Sequence, residues 1–350
     1  MAGVGVADLD VAVGRAAESV LHAGSTVVAV GVADRRSTLV DVIKSVSAAG
    51  VRGAAPVFDV GSVTKVVATA PLCMRLDLDA PVSRWFPGVP GSLRDLLEHR
   101  AGLWEWWPLY LSGATDPQSA LAVLTELPSR YRVGSGRHYS DLGFMLLGAI
   151  VEMEYGDRLD VVAEREVFTP LGMAGSGFRP SVECVPTSLG DRIERRMVET
   201  GTPYPVTPPT SPAAFGWRRH RLAGEANDGN CWHGFGGVAG HAGLFSTVPD
   251  LIRFGQALLA SIRGSGPWPR AGEFCAPGGD PAQGLGFRVA AGRVEHPGFP
   301  GARFAVLPDL DRVVVLLCNR LFGPGEPATL DAEWADLLSA VERSAMEEAR

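Results

Sequence analysis

The runs rich in β-branched residues lie at the two ends of the chain. Ser25-Thr26-Val27-Val28-Ala29-Val30-Gly31-Val32 and Leu39-Val40-Asp41-Val42-Ile43 flank the polar turn Asp34-Arg35-Arg36, and Phe304-Ala305-Val306-Leu307 and Arg312 to Cys318 flank a turn at Asp309 to Asp311. Between them, from about Leu72 to Gly237, the pattern is one of helices and loops. Strands at both ends around a helical middle predict an α+β fold in which one antiparallel sheet is assembled from the two termini and a mainly helical lobe is inserted between them. We read residues 1–350 as a single domain, with 1–61 plus 238–350 forming the α/β lobe and 62–237 the helical one. A functional site would lie in the cleft between the lobes.

Helical periodicity is clearest over Asp10 to Leu21, over Leu142 to Val151, from Pro249 to Leu259, and at the end, where Leu330, Trp334, Leu337, Leu338 and Val341 share a face. Gly91 to His99 reads as a short capped helix, and five prolines between Gly201 and Pro212 predict an extended connector. At 46% hydrophobic and 20% charged the 350 residues can bury a large core, and a net charge of −7 argues against nucleic acid or an anionic membrane as partner. The five cysteines (Cys73, Cys184, Cys231, Cys275, Cys318) include no Cys-x-x-Cys pair, which suits free thiols in a reducing compartment. The first residues lack a basic segment ahead of an apolar core, and no run of 18 apolar residues occurs. These features predict a cytoplasmic protein.

Asp59-Val60-Gly61-Ser62-Val63-Thr64-Lys65 carries the sharpest chemical signal. It reads as a chain reversal entering a helix with Ser62 at or near the N-cap, and on a helix positions three apart are neighbours, so the Lys65 amine can reach the Ser62 hydroxyl. A lysine buried beside other cations can fall to a pKa of about 7–8 and take a proton from a serine. The same four residues also fit a capping serine followed by a surface lysine. Tyr139-Ser140-Asp141, after Gly134 to His138 and before the apolar helix, places a phenol and a carboxylate at a loop-to-helix junction; this fits an acid/base station, and equally a tyrosine packed on a helix start with Asp141 as N-cap.

In order along the chain, Phe58 to Lys65, Leu93 to Leu103, Tyr139 to Gly148, Pro170-Leu171-Gly172-Met173, Gly236 to Thr247 and Val313 to Arg320 resemble the serine β-lactamase-like superfamily. That superfamily includes class C β-lactamases, D-alanyl-D-alanine carboxypeptidases, family VIII carboxylesterases and acyltransferases. The resemblance implies Ser62 as nucleophile, Lys65 as its partner and Tyr139 as general base, with Asp141 where many members have Asn and where it would keep Lys65 protonated. It also implies no metal and no cofactor. The strand motif Lys-Thr-Gly or His-Thr-Gly is replaced by His296-Pro297-Gly298, so Phe299 would supply an oxyanion-hole N–H beside Ser62, and Pro297 brings neither hydroxyl nor N–H. The segment after Gly102-Leu103 edges the cleft in this family, which points to Trp104, Glu105 and Trp106 as substrate contacts, with His241 as a further one. His233, His241 and Asp228 could be a metal set, yet no pair of them has helical ligand spacing, and structural roles are favoured.

The function expected from this reading is a serine enzyme that takes an acyl group from a small ester or amide donor and passes it to water, an alcohol or an amine. A β-lactamase or carboxypeptidase is the second reading, and a non-catalytic binding protein on the same fold the third. Because His296-Pro297 offers no cation, neutral esters are expected to outperform anionic β-lactams.

Overall fold

Residues from the start and the end of the chain pair side by side in the computed structural model, which describes residues 4–46 and 55–349. Helix α1 (Val4–His22) precedes strands β1 (Val27–Ala33) and β2 (Thr38–Ser45); the helical region that follows contains α2 (Asp141–Tyr155) and leads into α3 (Val248–Ile262). Strands β3 (Arg288–Ala290), β4 (Arg293–Gly298), β5 (Ala302–Leu307) and β6 (Arg312–Cys318) and helix α4 (Asp331–Glu348) complete the chain. The sheet has six antiparallel strands in the order β2-β1-β6-β5-β4-β3, with Val28 opposite Cys318 and Ala33 opposite Val313.

Both central strands are buried along their whole length, because each face of the sheet is covered. Val28, Val30, Val32, Val314 and Leu316 pack with Leu9, Val13 and Val20 of α1 and Trp334, Leu337 and Val341 of α4. Alternate residues Ala29, Val313, Val315 and Leu317 pack with Leu251, Phe254 and Leu258 of α3 and with the core of the helical region. Two buried faces explain why these strands read as unbroken apolar runs instead of an alternating pattern. Helix α3 lies so close that a Cβ on Gly31 would meet Val248 Cγ1 at 2.4 Å, and one on Gly255 would meet Val313 Cγ1 at 2.4 Å. Asn319 follows β6 and ties the ends together: its Oδ1 accepts from Thr26 N at 2.8 Å and Val27 N at 3.1 Å.

In the helical region every residue from 142 to 151 of α2 is buried, as expected of a helix apolar on all sides. Ser140 caps it, accepting from Gly143 N at 3.1 Å, so Asp141 is not the N-cap. The segment carrying Ser62 is less regular than its spacing predicts. A 3₁₀ turn over Gly61–Val63 passes into a wide π turn over Lys65–Thr69 and a single α turn over Ala70–Cys73. Pro71 has no N–H to donate and its ring crowds the preceding turn, and the Ala70 amide reaches back five residues to Lys65 O. Ser62 lies inside the first turn and caps nothing.

Candidate active site

The Ser62 turn is fixed by close backbone approaches. Gly61 has φ +50°, and a Cβ there would lie 2.4 Å from Pro300 Cδ and 3.3 Å from Phe299 N. A Cβ on Gly298 would lie 2.1 Å from Val60 O, so the end of β4 rests directly on the turn and brings the Phe299 amide beside it. Below the turn, buried Asp59 accepts from Gly61 N at 2.8 Å and Asn227 N at 2.7 Å. Burial raises its carboxyl to about 6, against the pull of those two amides.

Lys65 is fully buried, and its three ammonium donors face three acceptors: Ser62 Oγ at 2.9 Å, His241 O at 3.1 Å and Asp141 Oδ1 at 2.7 Å. Burial opposes the charge, but Asp141 and Tyr139 outweigh it and hold the ammonium above its ordinary value. Of the two states the sequence leaves open for this amine, one lowered by neighbouring cations and one kept protonated by Asp141, these contacts favour the second. The ammonium lies 5.1 Å from the centre of the Tyr139 ring and 5.7 Å from that of Phe144.

Two buried histidines flank Tyr139. His99 has its ring centre 4.6 Å from that of Tyr139, and its Nδ1 accepts from Ser140 N at 3.0 Å. His296, on β4, lies 5.9 Å from the same ring, with Nδ1 2.8 Å from Pro297 O. Burial, then the nearby Lys65 ammonium, pushes both imidazoles well below their ordinary range, so both are neutral.

Ser62, Tyr139, Asp141, Gly298 and Phe299 open on one cavity of about 320 Å³. Its opposite walls come from distant segments: Glu194 and Met197, Pro203 and Tyr204 of the proline-rich connector, Asn227 and Asp228, and the arginines Arg288, Arg303 and Arg320. Glu194 is half-buried, accepting from Tyr110 Oη at 2.7 Å and Gly229 N at 2.7 Å. Burial and the neighbouring Asp228 push its carboxyl up to about 8. Burial also opposes ionisation of Asp228, yet His241 and the Cys231 amide outweigh it and keep that carboxyl below its usual range. Arg303 pairs with Asp331 at 3.0 Å, and Arg320 donates to Phe299 O at 2.8 Å. Among the described residues Arg288 has no carboxylate partner, its buried Nε has no hydrogen bond, and its guanidinium lies 5.9 Å from the Tyr139 ring centre.

Of the positions singled out from sequence, Ser62, Lys65, Tyr139, Asp141, His296, Gly298, Phe299 and Trp106 gather at this cavity, with Lys65 and His296 just behind its surface. Trp106 stacks on Tyr204 at 5.9 Å. Trp104, Glu105 and His241 do not line it. The Trp104 indole donates to Pro128 O, Glu105 is held by Tyr131 and Arg130 at 2.6 and 2.8 Å, and the His241 ring faces Asp228 at 2.9 Å. His233 instead approaches Asp191, and no metal-binding cluster of His, Cys, Asp or Glu occurs among the described residues. The cavity lining does hold cations, Arg288, Arg303 and Arg320, that the His296-Pro297-Gly298 motif itself lacks. They lie outside the third motif, and no local pattern links them to it.

The β-lactamase family model matches residues 8–339, and the chain belongs to that family, one of serine hydrolases with an antiparallel sheet and a helical region. It is 28% identical over 321 residues to the N-acetylmuramyl-L-alanine amidase of Bacillus subtilis (strain 168), covering 76% of this chain and 68% of that protein. A Salmonella paratyphi A protein provisionally named a D-alanyl-D-alanine carboxypeptidase is 29% identical over 229 residues, 58% of this chain and 50% of its own length, so the chain spans about half of that relative. In fold it is similar to EstCE1, a hydrolase with promiscuous acyltransferase activity, at a TM-score of 0.71 and 20% identity over 97% of this chain and 100% of that one. The D-amino acid amidase of Ochrobactrum anthropi SV3 superposes with a TM-score of 0.69 at 18% identity, covering 96% and 99%. Among the described residues no helix is long and apolar enough to cross a membrane.

Proposed function

We propose that the protein is a serine acyl-transfer enzyme that cleaves a small ester or amide through an acyl-Ser62 intermediate and passes the acyl group to water, an alcohol or an amine. The observation that carries this reading is the buried Lys65 ammonium held between Ser62 Oγ and Asp141 at the foot of the cavity. A protonated lysine donates to Ser62 Oγ and is no base, which leaves Tyr139, entering the step as a phenolate, to take the Ser62 proton as Oγ attacks the carbonyl carbon. The Ser62 and Phe299 amides face the developing oxyanion. As the tetrahedral adduct collapses, the bond to the leaving group breaks and Tyr139 returns the proton to it; water or another nucleophile then resolves the ester in the reverse sense.

Burst kinetics test the reading. With a nitrophenyl ester the protein should release nitrophenol in a burst equal to the enzyme concentration, and Ser62→Ala should abolish it. A burst that survives in Ser62→Ala would refute the assignment. Arg288 favours one narrower variant, in which the substrate carries a carboxylate, as a carboxypeptidase substrate would: an unpaired guanidinium on the cavity wall gains a charge-assisted hydrogen bond only when an anion arrives.

A further inference from the structure

We propose that His99 is the positioning residue for Tyr139, gripping the chain on both sides of the phenol while its ring supports the phenol from beneath. This rests on the reading of Tyr139 as the proton-transfer group. Three contacts converge on one residue. The His99 carbonyl accepts from the amide of His138, immediately before Tyr139, at 2.8 Å. Its Nδ1 accepts from the amide of Ser140, immediately after Tyr139, at 3.0 Å. Its ring lies between those of Tyr139 and Phe144, at 4.6 and 5.2 Å.

The backbone at His99 has φ +58°, a left-handed conformation that costs a non-glycine residue free energy unless other contacts repay it. Only this turn sends the His99 carbonyl and ring toward the same three-residue segment. The Ser140 amide also fixes the tautomer, since Nδ1 must accept and Nε2 must carry the hydrogen. Among the described residues Nε2 has no hydrogen-bond partner, and Nδ1 is used on Tyr139's neighbour. Ser140 in turn caps α2 and donates to Trp104 O at 2.7 Å, so the grip extends from His99 through Ser140 to the start of the helix that carries Asp141.

The test exploits the leaving group. An alkyl ester needs its departing alkoxide protonated, whereas nitrophenolate leaves unaided, so misplacing Tyr139 should depress kcat more for the alkyl ester. A displacement of about 1 Å is enough to cost roughly 100-fold. His99→Asn tolerates positive φ and keeps an acceptor for the Ser140 amide; His99→Gly tolerates the backbone and has none. We expect His99→Gly to lower kcat at least about tenfold more on an ethyl ester than on the nitrophenyl ester of the same acid, and His99→Asn to restore most of the difference. If the glycine variant is not recovered folded, His99→Ala, with the smallest side chain that lacks an acceptor, takes its place. Equal losses on both esters, or no rescue by asparagine, would overturn the proposal. Tyr139→Phe measured in parallel separates the two claims. A leaving-group-dependent loss in Tyr139→Phe but not in His99→Gly defeats the His99 role alone, while its absence from Tyr139→Phe defeats the reading of Tyr139 as well.

Discussion

Lys65 and Arg288 are two cations 5.1 and 5.9 Å from the centre of the Tyr139 ring, and their surroundings differ completely. Lys65 is buried with all three donors facing acceptors at 2.7–3.1 Å, whereas Arg288 touches no carboxylate among the described residues and its Nε donates to nothing. The carboxylates divide in the same way. Asp141 is paired with Lys65, and Glu194 has two neutral donors and among the described residues no cation, so burial and the neighbouring Asp228 push its carboxyl up to about 8. The wall that carries Lys65 and Asp141 is electrostatically complete without a ligand, and the wall that carries Arg288 is not. On this view the first sets the chemistry and the second sets what is bound.

The largest effects should come from breaking the complete wall. Lys65→Ala and Tyr139→Phe should each slow acylation by about 10⁴-fold or more, and the double variant should be scarcely slower than the worse single one, because the residues act as one proton-transfer unit. Stopped-flow burst rates on the three proteins check this. Simple multiplication of the two losses would make the roles independent.

Arg288→Gln probes the incomplete wall. It should reduce kcat/KM for a monoanionic ester by about 10–100-fold, the value of a charge-assisted hydrogen bond of about 1.5–3 kcal/mol, and leave a neutral ester of the same length nearly unchanged. Equal losses on both would return Arg288 to a structural role. A smaller effect is expected from Trp106, which lines the cavity with Tyr204: Trp106→Ala should shift the preference between short and bulky acyl groups by about 1–3 kcal/mol in kcat/KM. Steady-state assays on an ester series, run well below the variant's melting temperature, read the shift.

The smallest effect is on stability. Glu194 binds a proton more tightly folded, at about 8, than unfolded, so between the unfolded value and pH 8 the native state holds the extra proton. Its contribution therefore falls as pH rises through that window and is most unfavourable above pH 8. Whatever its constant offset, Glu194→Gln should lose this slope, and its melting temperature relative to the parent should climb between pH 5 and pH 9. A difference that stays flat across those pH values would mean the carboxyl is ionised throughout.

Legibility in the sequence followed locality. The sheet could be read because β-branched runs are local, and β6 spans the residues its composition predicts, Arg312–Cys318. Ser62 and Lys65 could be paired because they stand three positions apart, although the expected helix is a 3₁₀ turn followed by a π turn. The protonation state of Lys65 depended on whether a remote carboxylate or a remote cation reached it, and composition could only offer both; the Asp141 contact decided it. Trp104, Glu105 and Trp106 looked alike in sequence, yet only Trp106 turns inward. Glu194, Asp228 and Arg288 carry no shared spacing, so the far wall became visible only once the chain had folded around it. His99 lay inside a quoted motif, but its grip on the residues flanking Tyr139 depends on a single left-handed backbone angle.

The most direct measurement is intact-protein mass after brief exposure to a panel of activated esters and β-lactams, at a pH low enough to slow deacylation. The account predicts a single added acyl group on the parent protein, located to the Ser62 peptide, and no added mass on Ser62→Ala. An equal adduct on Ser62→Ala, or an unmodified parent across the whole panel, would contradict the central claim.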